Sequence, residues 1–184
     1  IFSGVEPERL TLAQQAAGAA LLEYRQRLMS NKNAWCVVSI PTESWASKVF
    51  PEDAPDAAVE NLWQAIFAAV RLAPGEDAAV RWQRHIEFLA RAAKFMNDHA
   101  FSRLEYKNAL GTNLSIELPE GHIWMGGAEK TQSGVTFVAN MPTEEIYTLP
   151  KRDGVNGTVR AMRPLNVNGN LVEGFSLTFK DGKV

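Results

Sequence analysis

The sequence predicts an α+β protein, with a helical N-terminal half followed by a mainly antiparallel β C-terminal half. The first 100 of its 184 residues hold 20 Ala and 3 Gly, whereas the last 84 hold 4 Ala and 10 Gly. Apolar residues recur with a helical period up to about His99, and short apolar runs between turn signals follow. Because alanine favours helices and glycine marks turns, composition and period agree on where the change occurs.

The first 41 residues predict one helix and one strand. Apolar residues at helical spacing extend from Pro7, which suits a first helical turn, to about Ser30. The apolar run 34–40 then predicts a buried strand that ends at Pro41. Cys36 lies within this run, so we expect an inert, packed thiol there.

Two further helices are predicted over about residues 56–98. Asp56 is the expected N-cap of the first, whose apolar face follows the i, i+3, i+4 pattern: Val59, Leu62, Trp63, Ile66, Phe67 and Val70. The second runs from about Asp77 to Asp98. The connection between them is short, which favours an antiparallel helical pair in which Trp63 and Trp82 are packing residues.

Short strands are predicted after His99. They cover 102–107, 114–118, 135–138, 157–163 and 171–179. Asn168-Gly169-Asn170 predicts a hairpin, and Asp181-Gly182 predicts a turn just before the chain ends. A turn opening at that point, together with a first residue that is Ile1 rather than Met, indicates a fragment of a longer protein.

Composition excludes several classes of function. The formal net charge is −2 and no basic stripe occurs, so nucleic acid and anionic membrane surfaces are not expected partners. The longest apolar runs fall short of the roughly 18–20 residues of a membrane span. A single cysteine cannot form an internal disulfide. We therefore expect a soluble, cytoplasmic protein.

Few residues offer chemistry. Of the three histidines, His85 and His99 are interpreted as surface or capping residues. His122 precedes the pair Gly126-Gly127, which fits either close approach to a ligand or a tight turn. Phosphate-binding and nucleophile motifs do not occur in the sequence, so no catalytic or cofactor-binding residue is predicted.

The adjacent acids Glu144 and Glu145 form the most informative polar pattern. In an extended segment, Glu145 shares a face with Thr143 and Tyr147, whereas Glu144 shares one with Ile146. If Ile146 marks the packed face, Glu145 faces an open cavity beside a tyrosine. A charged edge strand without a ligand explains the same pattern.

An ordered set of motifs resembles the M29 family of thermophilic-type metallo-aminopeptidases. The motifs are Pro119-Glu120-Gly121-His122 with Trp124 and Gly126-Gly127, then Met141-Pro142-Thr143-Glu144-Glu145-Ile146-Tyr147-Thr148, then Gly157-Thr158-Val159-Arg160 with Arg163-Pro164-Leu165 and Leu171-Val172-Glu173-Gly174. Stretches 50–51, 62–67 and 111–114 are similar to the family in the same order. The resemblance covers nearly the whole chain.

The resemblance implies a soluble, dimeric exopeptidase that removes N-terminal residues from peptides with two divalent metal ions (zinc, cobalt or magnesium). Family members are longer than this chain. Residues 1–41 correspond to the end of their N-terminal α/β domain. Residues 42–184 correspond to the first part of the catalytic domain, with the helical pair at about 56–98 and antiparallel strands at about 101–184.

Of the family's metal ligands, the resemblance identifies one here, the second acid of the Pro-Thr-Glu-Glu motif, Glu145. Where many relatives have a histidine, this chain has Lys151, to which we assign no role. One carboxylate is not a metal site, so we expect the fragment to bind no metal tightly and to be inactive. The alternative is a non-catalytic binding or oligomerisation module with a polar edge strand.

Overall fold

Helices precede strands along the chain, as predicted. The structure, a computed structural model, describes residues 4–167 and 170–184. Within these residues the helices are α1 (Pro7–Ala20), α2 (Leu22–Met29), α3 (Glu43–Val49), α4 (Pro55–Ala69) and α5 (Ala78–His99). The predicted α+β class and the change near His99 are confirmed. None of the helices in the described part combines the length and the apolar character needed to traverse a lipid bilayer.

The strands are short and mostly antiparallel. They are β1 (Val37–Val38), β2 (Arg103–Lys107), β3 (Asn113–Glu117), β4 (Met125–Gly126), β5 (Glu129–Lys130), β6 (Thr136–Phe137), β7 (Asn140–Met141), β8 (Ile146–Tyr147), β9 (Val155–Arg160), β10 (Leu165–Val167), β11 (Asn170–Val172) and β12 (Ser176–Phe179). A four-stranded antiparallel sheet has the order β12-β9-β3-β2. The hairpins β5–β6 and β10–β11 are antiparallel, and β1 pairs with β7 in parallel.

The chain forms two compact units. One, the helical unit, comprises the chain up to Ala90 and Gly126–Glu145. The other, the sheet unit, comprises Arg91–Met125 and the chain from Ile146 onward. The assignment of residues 1–41 and 42–184 to two domains of the family is a separate matter and stays a prediction.

In the helical unit, α3 and α4 pack through small side chains. Ala46 and Ala58 are fully buried and contact Leu62, with Phe50, Val59 and Ile66 packed around them. Alanine at the contact lets the two helices approach closely. The sequence did not predict α3, which begins after Thr42, whose hydroxyl accepts a hydrogen bond from the Trp45 amide at 3.2 Å.

Helix α4 begins two residues earlier than the predicted N-cap implies. Its N-cap is Ala54, and Pro55 is the first helical residue, so the predicted N-cap at Asp56 is wrong. Proline needs no partner for an amide hydrogen and its fixed φ suits the first turn, so the helix starts there. Asp56 instead lies in the first turn, where its negative charge interacts favourably with the positive end of the helix dipole.

The end of α4 has an unusual backbone. Arg71 follows the C-cap with φ of 62°, and the Leu72 amide donates to the Phe67 carbonyl at 2.8 Å. This left-handed conformation satisfies carbonyl groups at the helix end, and glycine is the residue that usually adopts it. Arg71 is one of four non-glycine residues with a positive φ among the described residues.

Both predicted packing tryptophans are confirmed. Trp82 of α5 is buried, and its Nε1 donates to the Val70 carbonyl at 2.8 Å. Trp63 is half-buried and stacks on Phe67, with ring centroids 5.3 Å apart. The predicted start of α5 also holds, because the Asp77 carboxylate accepts from the amides at positions 79 and 80.

The predicted buried strand over 34–40 is wrong. Only Val37 and Val38 form a strand, their exposed fractions are 57% and 53%, and Cys36 is exposed. The cause is topological, since within the described residues β1 pairs with β7 alone and this two-stranded sheet leaves Val37 and Val38 more than half exposed. The helix predicted over Pro7 to Ser30 is likewise divided in two, at Leu21.

In the sheet unit, apolar side chains meet around three buried residues, Ala93, Leu118 and Trp124. Strand β9 is central in the sheet, and its Gly157 lies opposite Leu114 of β3 and Phe179 of β12. Gly157 has φ of 113°, and a Cβ there would collide with the Asn113 carbonyl. Glycine is therefore required at position 157 of β9, where the backbone of β3 lies close by.

Two turn predictions have different outcomes. Asp181-Gly182 forms a turn, closed by a hydrogen bond from the Lys180 amide to the Lys183 carbonyl at 2.9 Å, so that prediction is confirmed. The predicted hairpin at 168–170 includes residues 168 and 169, which lie outside the described residues. The predicted strand 171–179 is two strands, β11 and β12, separated by a bend at Gly174.

Candidate functional site

The two adjacent acids lie in the segment 140–145, which begins with β7. Asn140 pairs with Val37 of β1, and Met141 pairs with Val38. The Val37 amide also donates to the Ala139 carbonyl at 2.8 Å. Strand β1 therefore fixes the backbone of this segment along one edge.

Glu144 is held by an arginine. Both Nη atoms of Arg71 donate to the two carboxylate oxygens of Glu144, with Nη2 2.6 Å from Oε2. The hydrogen bond from Arg71 and its positive charge hold the pKa of Glu144 below its usual range. The side chains are 28% (Arg71) and 58% (Glu144) exposed, so solvent screens the pair. Glu144 is therefore an ionised carboxylate whose negative charge is already balanced by Arg71.

His85 secures the backbone next to this ion pair. The residue is 8% exposed, and its Nε2 lies 2.6 Å from the Thr143 carbonyl oxygen. Because a carbonyl can only accept, Nε2 carries the proton and donates. The Trp82 ring contacts the imidazole edge to face, with centroids 5.7 Å apart. The interpretation of His85 as a surface or capping residue is therefore wrong.

Glu145 differs from Glu144 in having no side-chain partner among the described residues. Its side chain is exposed, and within residues 4–167 and 170–184 its carboxylate makes neither a hydrogen bond nor an ion pair. It lines an open groove of about 510 Å³, together with residues 37–39 of the β1 edge and the segment 140–144. Of the two adjacent carboxylates, Glu145 alone is available to a ligand.

The donors near Glu145 fit a metal ion only in part. A free carboxylate is a suitable ligand for a hard divalent ion. In the part of the chain that the structure describes, however, no three His, Cys, Asp or Glu side chains converge. Among the described residues, Glu145 could therefore supply one ligand and no complete site.

His99 and His122 are bound locally. His99 is exposed, and its Nδ1 lies 2.8 Å from the Phe95 carbonyl one turn earlier, which confirms the surface or capping interpretation. His122 Nδ1 donates to the Pro119 carbonyl at 2.9 Å, and the amide of His122 closes a turn on the same oxygen. Its Nε2 is buried and has no hydrogen-bond partner among the described residues.

The glycine pair that follows His122 has a structural explanation. Gly127 has φ of 82°, and a Cβ added there would lie 3.3 Å from the Leu89 Cβ of α5. The close backbone approach that the sequence suggested is thus an approach to the protein's own helix. Lys151, to which no role was assigned, donates to the Glu117 carboxylate at 3.1 Å.

Comparison with known proteins shows the family of this chain. The family model for thermophilic metalloproteases (M29) matches residues 1–184, so the chain belongs to the M29 family and the predicted resemblance is confirmed.

Among its relatives, aminopeptidase 2 of Geobacillus stearothermophilus is 44% identical over the whole chain, which covers 44% of that protein. Aminopeptidase AmpS of Bacillus subtilis is 41% identical, with the same coverage of each chain. The solved structure of wild-type AmpT from Thermus thermophilus matches with a TM-score of 0.87 at 36% identity, covering 98% of this chain and 43% of that one. The chain therefore spans less than half the length of the relatives it matches.

Proposed function

We propose that this chain is part of an aminopeptidase that hydrolyses the N-terminal peptide bond of peptides with two bound divalent metal ions. Membership of a metalloprotease family and the aminopeptidase names of its relatives support the reaction class. One structural observation carries the proposal, the exposed Glu145 carboxylate that lines a groove while its neighbour Glu144 is bound to Arg71.

In this proposal Glu145 gives an anionic oxygen to one of the ions, which are zinc, cobalt or magnesium. When bound, such ions polarise the scissile carbonyl and lower the pKa of a water molecule. Arg71 neutralises Glu144, so this second carboxylate does not compete for the ion. Segment 140–145 is held by β1, which keeps Glu145 at the side of the groove.

We also propose the substrates, the oligomeric state and the location of the full-length protein. Peptides with a free N-terminus are its substrates, the full-length protein is a homodimer as the family resemblance implies, and its location is the cytoplasm. A single, exposed cysteine fits a reducing compartment. The chain by itself is inactive, because it supplies one ligand of a centre that needs several.

Metal removal from the full-length protein tests the reaction. We expect hydrolysis of a leucine anilide to stop when a chelator removes the metal and to return when zinc, cobalt or magnesium is restored. Activity that persists in metal-free protein would contradict the metal mechanism. A full-length protein with no aminopeptidase activity under any of these metals would favour the non-catalytic module.

The 184-residue chain alone should bind divalent ions only weakly. A stable site needs three or four converging ligands, and within the described residues no three His, Cys, Asp or Glu side chains converge. Isothermal titration of the purified chain with zinc or cobalt measures this directly. Stoichiometric binding with a submicromolar dissociation constant would contradict the prediction, and His122 with Glu120 would then be the first residues to substitute.

A further inference from the structure

Two side chains from outside the segment 140–145 bind the residues immediately before Glu145. Arg71, at the end of α4, donates twice to the Glu144 carboxylate. His85, in α5, donates to the Thr143 carbonyl at 2.6 Å. Strand β1 pairs with Asn140 and Met141, so the backbone that leads to Glu145 is held at 140–141 as well as at 143–144.

The two supporting side chains are themselves joined through Trp82. Its indole Nε1 donates to the carbonyl of Val70, the residue before Arg71, and its ring packs against His85. Trp82 and His85 are both buried. The imidazole is thus fixed by its packing, and the backbone that carries Arg71 is fixed by a hydrogen bond from the same tryptophan.

We propose that Arg71 and His85 are positioning residues for Glu145, which hold Thr143 and Glu144 so that the next carboxylate is presented to the groove in one orientation. The proposal rests on the proposed function, in which Glu145 is a metal ligand. A ligand carboxylate on a loose segment must be ordered each time the ion binds, and this weakens binding. Loss of groups that orient metal ligands typically lowers metal affinity about 10–100-fold.

Loss of Arg71 should affect the orientation of Glu145 more than the stability of the fold. The Arg71–Glu144 pair is solvent-screened, and exposed ion pairs contribute little to stability. Arg71→Met should therefore leave the melting temperature nearly unchanged while zinc binding weakens. If Arg71 had a purely structural role, Arg71→Met would lower the melting temperature and leave zinc binding unchanged.

The experiment uses the full-length protein, stripped of metal and titrated with zinc alone, with kcat and KM on a leucine anilide as a second readout. We expect Arg71→Met and His85→Leu each to raise the zinc dissociation constant about tenfold or more. The loss should appear in kcat at a fixed zinc concentration. His85→Gln should restore most of the affinity, because its amide N–H can donate to the Thr143 carbonyl.

Arg81→Met is the matched control. Arg81 forms a comparable exposed pair with Glu76, at 3.1 Å, and touches neither Glu144 nor Thr143. It should bind zinc as the unsubstituted protein does. If His85→Leu fails to fold, Arg71→Met decides the question alone.

Glu145→Gln in the same series distinguishes the two proposals. Zinc affinity within twofold of the unsubstituted protein in Arg71→Met and in folded His85→Leu, with Glu145→Gln strongly impaired, would overturn the positioning role and leave the proposed function standing. Unchanged zinc binding and activity in Glu145→Gln would instead overturn the part of the proposed function that makes Glu145 a metal ligand.

Discussion

Glu145→Gln in the full-length protein should abolish aminopeptidase activity and lower the metal content while leaving the fold intact. The amide keeps the shape of the side chain but removes the charge that holds a divalent ion, so we expect kcat/KM to fall by at least about a hundredfold. Glu145 is exposed and has no hydrogen bond or ion pair within the described residues, so stability should change by less than about 0.5 kcal/mol. Leucine anilide hydrolysis, metal analysis and circular dichroism measure the three quantities.

Glu144→Gln is the control for this prediction. The glutamine oxygen can still accept a hydrogen bond from Arg71, and exposed ion pairs contribute only about 0–1 kcal/mol. Activity should therefore fall far less than in Glu145→Gln. Equal, mild effects of the two substitutions would support the alternative, a charged edge strand without a ligand. A larger loss at Glu144 would mean that the ligand position is misassigned by one residue.

Gly157→Ala should destabilise the sheet unit by about 3 kcal/mol. The residue combines φ of 113° with a close approach to the Asn113 carbonyl of the neighbouring strand. An added methyl group must strain the backbone and also push β9 away from β3. Urea unfolding followed by far-ultraviolet circular dichroism measures the loss.

Gly174→Ala separates these two causes. Gly174 has φ of 60°, and nothing lies within 4 Å of where its Cβ would be, so only backbone strain remains. We expect a loss of about 1 kcal/mol. Gly157→Ala no more destabilising than this control would show that the approach of β9 to β3 is not a constraint on the sheet.

The sequence predicted the elements whose pattern is local and long. Helices α4 and α5 repeat their apolar spacing over several turns, and the strands of the four-stranded sheet lie between explicit turn signals. Helix α3 has seven residues, too few to repeat a pattern, and was missed. The apolar run around Val37 has the composition of a buried strand, but burial depends on which neighbours the topology supplies, and in the described part of the chain β1 pairs with β7 alone.

The candidate site divides in the same way. The family motif singled out Glu145, and its role as a metal ligand stays a prediction. Nothing local marks His85, because its partner Thr143 lies 58 positions away along the chain. The Arg71–Glu144 pair spans 73 positions and carries no sequence signal either. Contacts of this kind are set by how α4, α5 and the segment 140–145 pack, so they become visible only in three dimensions.

The backbone at Arg71 puts resistance to heat and catalytic competence in opposition. Its φ of 62° is one that glycine adopts freely and arginine adopts at a cost of about 1 kcal/mol. A screen that rewards thermal tolerance alone would therefore accept Arg71→Gly, since the helix end relaxes and only a solvent-screened ion pair is lost. A screen that rewards turnover would reject the same change, because Glu144 would be released beside Glu145. Under the proposed positioning role of Arg71, arginine at this helix end therefore lowers stability slightly and supports the orientation of Glu145.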